Sequence, residues 1–314
     1  NRARLKIGGN AYQPWLKYYF EYELSQSNLL DFRIMVEKWK FLSLKVGQWK
    51  VDYNRERSVS SGKQQLVDRS IINRYFTLDR QQGVALYGRV NEGKNSDLNY
   101  WVSILTGTGR GSRTNDDNNL MYVGRVQWNF LGRALPYTNS DIARREKPEA
   151  YLAIAGATNQ SPYTRFSQSG GGQLFEVLEP GDEGQYRVNQ FLFETAFMYH
   201  GFSWASETHW KDINDLIDDN DNRLGGFYFQ AGYFWNELFS WFPEKLETAL
   251  RYAYLDPNLD ESSVSEREIT LALNYFFNGH RNKLTMEWSN FNAQENTVRD
   301  LYQNRFRIQW DISL

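Results

Sequence analysis

The chain has 314 residues, a net charge of −2, three histidines and no cysteine. Disulfide frameworks, thiolate metal sites and cysteine nucleophiles are therefore excluded, scattered histidines do not suggest a metal centre, and there is no basic excess for nucleic acid. Phe, Tyr and Trp make up 16% of the residues although the mean hydropathy is negative, a combination expected of strands that are apolar on one face and wet on the other.

No apolar run is long enough for a transmembrane helix. Asn1-Arg2-Ala3-Arg4 lacks the apolar stretch of a signal peptide. Alternation with a period of two begins at once and recurs to the end. Leu16, Tyr18, Phe20, Tyr22 and Leu24 share one face, with Lys17, Tyr19, Glu21 and Glu23 on the other. The same reading puts Leu98, Tyr100, Val102 and Ile104 together, then Tyr122, Val126, Trp128 and Phe130, then Ile269, Leu271, Leu273, Tyr275 and Phe277. At the C-terminus Phe306, Ile308, Trp310 and Ile312 oppose Arg305, Arg307, Gln309 and Asp311. The spacing predicts strands near 2–8, 15–24, 29–38, 41–50, 82–91, 97–106, 120–130, 149–157, 187–200, 201–211, 223–234, 246–254, 264–277, 281–291 and 300–314. All seven prolines fall between them, as expected of a residue that cannot donate to a strand ladder.

Connectors alternate between short turns, such as His200-Gly201, and long polar loops, such as 107–119 and 158–186. Short turns at one end and long loops at the other are the layout of an outer-membrane barrel. Residues 131–148 are the exception, a long connector on the short-turn side. A sheet of about sixteen strands closes around water, so its apolar face must point outward, to lipid. The expected architecture is one all-β domain over 1–314: a closed antiparallel transmembrane barrel of about sixteen strands, fifteen visible here and one expected before Asn1. The loop 52–81 is longer than a strand connection requires, and such loops are usually functional.

Within that loop and its flanks stand Leu44-Lys45-Val46-Gly47-Gln48-Trp49-Lys50, Asn54-Arg55-Glu56-Arg57-Ser58-Val59-Ser60-Ser61, Asp68-Arg69-Ser70 and Asp79-Arg80-Gln81-Gln82-Gly83. These segments, with Arg2 to Tyr12 and Phe130 to Asp141, resemble the phosphate-selective porin O and P family. The resemblance covers the first half of the chain well; the second half matches in general barrel pattern. It implies a homotrimer of sixteen-stranded barrels, each with a loop folded into the lumen as a constriction, here expected to be 52–81, and with basic residues along the anion path. Arg2 falls on the second of the family's paired arginines, with Asn1 in place of the first. Glu56-Arg57 matches a Glu-Lys pair, Ser60 and Ser61 match a phosphate-holding Ser-Ser, and Gly62 replaces a lysine. Asp31 lies near the family's acidic site residue.

The candidate anion-binding set is therefore Arg2, Asp31, Arg55, Arg57, Ser60, Ser61, Arg69 and Arg74. Arginine offers planar multi-donor contacts to oxyanions, and hydroxyls add donors without charge. Lys45, Arg89, Arg125, Arg305 and Arg307 are expected on the lumen wall, opposed by glutamates such as Glu194, Glu247 and Glu287. Strand-end aromatics such as Tyr22, Trp288 and Trp310 are expected at the membrane interface.

The expected function is a passive outer-membrane channel for small inorganic or organic anions, phosphate-like solutes foremost, in contact with membrane lipid and lipopolysaccharide. A general or sugar and organic-acid diffusion porin is the alternative, and an outer-membrane hydrolase a weaker one. A hydrolase needs a nucleophile beside a base. Ser203 lies three residues beyond His200, which strand periodicity puts on opposite faces; Thr208 and His209 are adjacent and also diverge. No catalytic residue, metal or cofactor is expected.

Overall fold

The computed structural model describes residues 3–110, 115–167, 170–174, 179–260, 265–294 and 300–313. Fifteen antiparallel strands form one sheet in strict sequence order. They are β1 (Arg4–Asn10), β2 (Leu16–Glu23), β3 (Asn28–Trp39), β4 (Leu42–Lys50), β5 (Arg80–Val90), β6 (Leu98–Leu105), β7 (Met121–Trp128), β8 (Glu149–Ser161), β9 (Tyr186–Tyr199), β10 (Phe202–Asp215), β11 (Asn222–Tyr233), β12 (Leu246–Asp256), β13 (Ser265–Asn278), β14 (Asn282–Gln294) and β15 (Asp300–Ile312). Each strand expected from the alternation is present, and none of the prolines lies within one. The strongest alternation gives the cleanest faces: β7 is buried and exposed by turns along its whole length. Among the described residues no helix is long and apolar enough to cross a membrane.

The loop between β4 and β5 shows that the sheet is rolled. A flat sheet of this many strands would be roughly 65–70 Å wide. Yet residues of this one loop bond to Arg125 on β7, Glu194 on β9, Glu268 on β13 and Arg307 on β15. Only a sheet curled around the loop brings these strands within reach. Phe306 and Ile308 point away from the loop, while Arg307 points toward it.

The curl is not closed by a ladder. Among the described residues β1 pairs only with β2, and β15 only with β14; the sixteenth strand is expected before Asn1 and so lies outside the fifteen described here. The edge has a physical signature. Phe306 on β15 is 79% exposed, against 48% for Leu271 on β13, because no neighbouring strand flanks it.

The loop 51–79 contains two single-turn helices, α1 (Arg55–Ser58) and α2 (Asn73–Phe76). It folds inward because its apolar residues have somewhere to go. Val51, Tyr53, Ile72, Phe76 and Leu78 are fully buried against inner-face Ala85, Ala153, Ala155, Ala196, Ala205 and Ala253. Small residues on the wall leave the space that the loop fills, and each large side chain so buried contributes about 1.5–3 kcal/mol before the cost of ordering.

Candidate functional site

The loop is held by carboxylates on the wall. On β9, Glu194 accepts the backbone N–H of Arg55 at 2.8 Å. On β10, Glu207 accepts that of Glu56 at 2.6 Å. Glu247 on β12 takes the Gln65 side chain at 2.7 Å, Glu268 on β13 the N–H of Ile71 at 2.9 Å, and Glu287 on β14 the N–H of Val67 at 2.7 Å. Period two puts each of these glutamates on the inner face, where they satisfy loop N–H groups that would otherwise be buried without partners. Their own charge is balanced in part by Arg125 on Glu194, Arg251 on Glu268 and Arg307 on Glu287.

The exceptional connector 129–148 props the loop from the other side. Arg55 donates to the carbonyls of Pro136, at 2.8 Å, and Thr138. The N–H of Asn139 reaches the carbonyl of Lys63 at 3.2 Å, and Ser140 bonds Glu247 at 2.8 Å.

Clamped against β7–β14 in this way, the loop leaves a polar cavity on its other side, toward β1–β5. The cavity holds about 240 Å³ and is lined by Arg4, Glu23, Ser25, Gln26, Leu30, Lys50, Arg57, Ser61, Arg69, Arg80 and Arg110. Six of these eleven are basic and one is acidic. Arg69 is fixed by neutral acceptors, its Nε on the Glu56 carbonyl at 2.8 Å and an Nη on that of Val59 at 2.9 Å. Other cations have carboxylates behind them. Arg4 bonds Glu23 at 2.7 Å and Glu21 at 3.1 Å, Arg80 bonds Asp31 at 3.2 Å, and Arg57 bonds Asp79 through Nε at 3.1 Å.

The crowding registers in titrating groups of the cavity and the loop. Arg110 is pushed below its ordinary pKa, by burial first and then by Arg80, Arg57 and Arg4, with Asp79 opposing. Asp79 is held below the usual carboxylate range: burial opposes this, but Arg57 and Arg80 outweigh it. Glu56, on the wall side of the loop, is pushed up to about 7 by burial and by Glu207.

Of the residues singled out by sequence, Arg57, Ser61 and Arg69 line the cavity. Ser60 is their half-buried neighbour, and Asp31 stands behind Arg80. Arg2 lies outside the described residues. Arg55 is elsewhere: its guanidinium is buried in the clamp against 136–138, because one helical turn puts Arg55 and Arg57, two residues apart, on nearly opposite sides of α1. Arg74 is exposed on α2 and lines another cavity, of about 450 Å³, with Glu266 and Arg305; Arg69 borders both cavities. The wall residues are ion-paired: Lys45 with Asp52, Arg89 with Asp97, Arg125 with Glu194, Arg305 with Asp68, and Arg307 with both Glu287 and Asp68.

Sequence reasoning missed Arg4, Lys50, Arg80 and Arg110. Arg4 was legible by parity, since it shares a strand face with Lys6. Lys50 and Arg80 are cross-strand partners that parity cannot assign. Gly47 has φ +128°, where a Cβ would lie 2.1 Å from the Phe32 carbonyl oxygen, and beyond it adjacent Gln48 and Trp49 are both buried. Arg110 lies in a loop with no period.

His209 bonds Glu207 at 3.0 Å and stacks on Phe76 as part of the loop anchor.

Several solved porins share this fold. The anion-selective porin from Comamonas acidovorans superposes with a TM-score of 0.60 at 10% identity, covering 99% of this chain and 85% of that one. OmpT of Vibrio cholerae lacking loop L8 gives 0.63 at 10% identity, covering 98% and 88%. The trimer form of OmpT gives 0.58 at 10% identity, covering 98% and 89%. At these identities the likeness speaks to fold alone. No curated protein matches the chain by sequence. The model of one family, phosphate-selective porin O and P, matches residues 1–310. With its lipid-facing apolar sheet and its inward loop, the chain belongs to the phosphate-selective porin O and P family, the porins of the bacterial outer membrane.

Proposed function

We propose that the protein is an anion-selective diffusion channel and that loop 51–79 forms its constriction, with Arg4, Lys50, Arg57, Arg69, Arg80 and Arg110 around the anion path. The observation that carries this reading is the makeup of the polar cavity between the loop and β1–β5: six basic residues against a single lining carboxylate. A narrow passage with low-dielectric walls focuses the field of such a cluster and enriches the counter-ion there.

The geometry favours oxyanions over halide. Guanidinium groups present several charge-assisted donors in a fixed plane, and Ser61 adds a neutral one. Phosphate-like solutes fit best, with carboxylates also admitted. Carboxylates behind the arginines, Glu21, Asp31 and Asp79, temper the attraction. Passage requires release as well as capture. The protein acts as a passive channel and not as an enzyme, and it assembles as a homotrimer in contact with lipid and lipopolysaccharide; the trimer form of OmpT supports that assembly by analogy.

Reversal potentials across a planar bilayer in a chloride gradient, followed by phosphate titration, test the proposal. Anion preference with phosphate block of the chloride current is the expected result. Cation preference, or chloride current indifferent to phosphate, would sink it.

A further inference from the structure

The connector between β11 and β12 has two unlike sides. On the inner side, Phe234 is 1% exposed and lies under the Arg144 guanidinium at 3.4 Å. Arg144 also donates to Glu237 at 3.1 Å, so the connector is tied to the insertion 129–148. On the outer side, Leu238, Phe239 and Trp241 are 65%, 45% and 79% exposed. So large an apolar group left together marks an interaction surface.

What covers it follows from what it adjoins. Aromatic contacts run from Tyr233 on β11 to Trp235 at 5.3 Å, on to Phe239 at 6.4 Å and to Trp241 at 6.0 Å. The Trp235 indole donates to the outward hydroxyl of Thr248 on β12 at 2.7 Å. The patch is therefore continuous with the outward apolar face of the sheet, which in an outer-membrane porin is the lipid interface. It also lies at the short-turn end, which in such barrels is periplasmic.

We propose that residues 235–242 form a membrane-interface foot, with Leu238, Phe239 and Trp241 seated at the headgroup–acyl boundary of periplasmic-leaflet phospholipid. Indole suits that depth because it is apolar in its rings and polar at one N–H. The tie through Arg144 makes the foot a rigid extension of the insertion that props the loop, so the bilayer grips the barrel beside its internal support.

The chain has no cysteine, so single-thiol variants can be spin-labelled without other changes. Trp241→Cys and Leu238→Cys are exposed positions where substitution leaves the sheet intact. They are compared in phosphatidylethanolamine–phosphatidylglycerol bilayers with Phe277→Cys on the outward face and Asn220→Cys in a long-side loop. The expected result is a ratio of oxygen to water-soluble nickel-chelate collisions at 238 and 241 close to that at 277 and several-fold above that at 220. Ratios matching position 220 would overturn the proposal. So would spectral broadening at 238 and 241 that disappears on dilution with unlabelled protein, which would make a second copy the occupant. Circular dichroism of each variant, unchanged in strand content, ensures that the comparison is between folded barrels.

Discussion

Arg57 and Asp79 face each other across the two limbs of the inward loop, the guanidinium donating through Nε at 3.1 Å and through an Nη to the same carboxylate oxygen. The pair joins the loop's first helix to its return into β5, and it puts a carboxylate directly behind a cavity cation. Because Asp79 is held below the usual carboxylate range, it is charged at neutral pH. Asp79→Asn keeps an acceptor for Arg57 and removes the charge. A unit charge about 8–10 Å from the anion path, at an effective dielectric near 40, is worth about 1 kcal/mol. Phosphate block is therefore expected to tighten roughly fivefold by the same arithmetic, with slower release seen as longer blocked times in single-channel records.

Removing the cation gives the opposite sign. Arg57→Ala leaves Asp79 in place beside the cavity, with Arg80 3.7 Å away as its remaining partner. Anion-over-cation permeability should fall, and phosphate block should weaken more than chloride conductance, since chloride has no fork of oxygens to match the lost donors. Arg305→Ala is the comparison. Arg305 pairs with Asp68 at 3.8 Å and is not among the residues lining the cavity, and salt damps exposed charges over about 8–10 Å. Reversal potentials in a tenfold salt gradient should shift for Arg57→Ala and move little for Arg305→Ala. Equal shifts would take Arg57 out of the selectivity role.

The sheet was legible in the sequence because a strand's side chains alternate without exception so long as the backbone stays regular. That is why Tyr122, Val126 and Trp128 could be placed outside, and Arg125 inside, before any coordinates. The length of the loop marked it as functional, and the expectation that it turns inward came from the family resemblance. The division of labour inside it was not. Arg55 and Arg57 are two residues apart and look alike, yet one is locked in a clamp and the other lines the cavity. A single turn of helix between two limbs of loop sets that difference, and no periodicity announces it. Nor could parity carry through Gly47, whose positive φ lets both Gln48 and Trp49 be buried and so hides Lys50 and Arg80. Residues 131–148 stood out by length on the short-turn side of the barrel; their partner, the guanidinium of Arg55, was beyond reach of sequence.

The glutamates on the wall should govern how still the loop sits. Glu287 accepts the N–H of Val67 at 2.7 Å and also pairs with Arg307. Glu287→Ala leaves a half-buried amide and an arginine without that partner, a cost of about 1–3 kcal/mol for the donor alone. Open-channel noise should rise, and protease should cut within 60–75 faster than in wild type. Glu287→Gln keeps an acceptor for Val67 and should restore most of the quiet current. If Gln behaves like Ala, the charge on Arg307, rather than the bond to the loop, is what Glu287 supplies.

Glu56 makes the loop's attachment depend on pH. Its carboxylate accepts the Ser70 N–H at 2.6 Å and the Ser70 hydroxyl at 2.9 Å, closing residues 56–70 into a lobe that carries Arg57, Ser61 and Arg69. Burial, then Glu207, pushes its pKa from 4.5 to about 7. A group raised on folding binds more protons in the native state than in the unfolded one, so its contribution is greatest below the unfolded value and is lost as pH rises through the folded value. Native stability should therefore fall between about pH 4.5 and pH 7, by on the order of 3 kcal/mol from this group. Glu56→Gln cannot titrate. It should flatten that slope and make the variant more resistant than wild type to denaturant at pH 8, with little difference at pH 5. Tryptophan fluorescence during urea unfolding of the detergent-solubilised protein at the two pH values measures it. A wild-type slope that survives in Glu56→Gln would mean that other carboxylates on the wall, not Glu56, set the pH response.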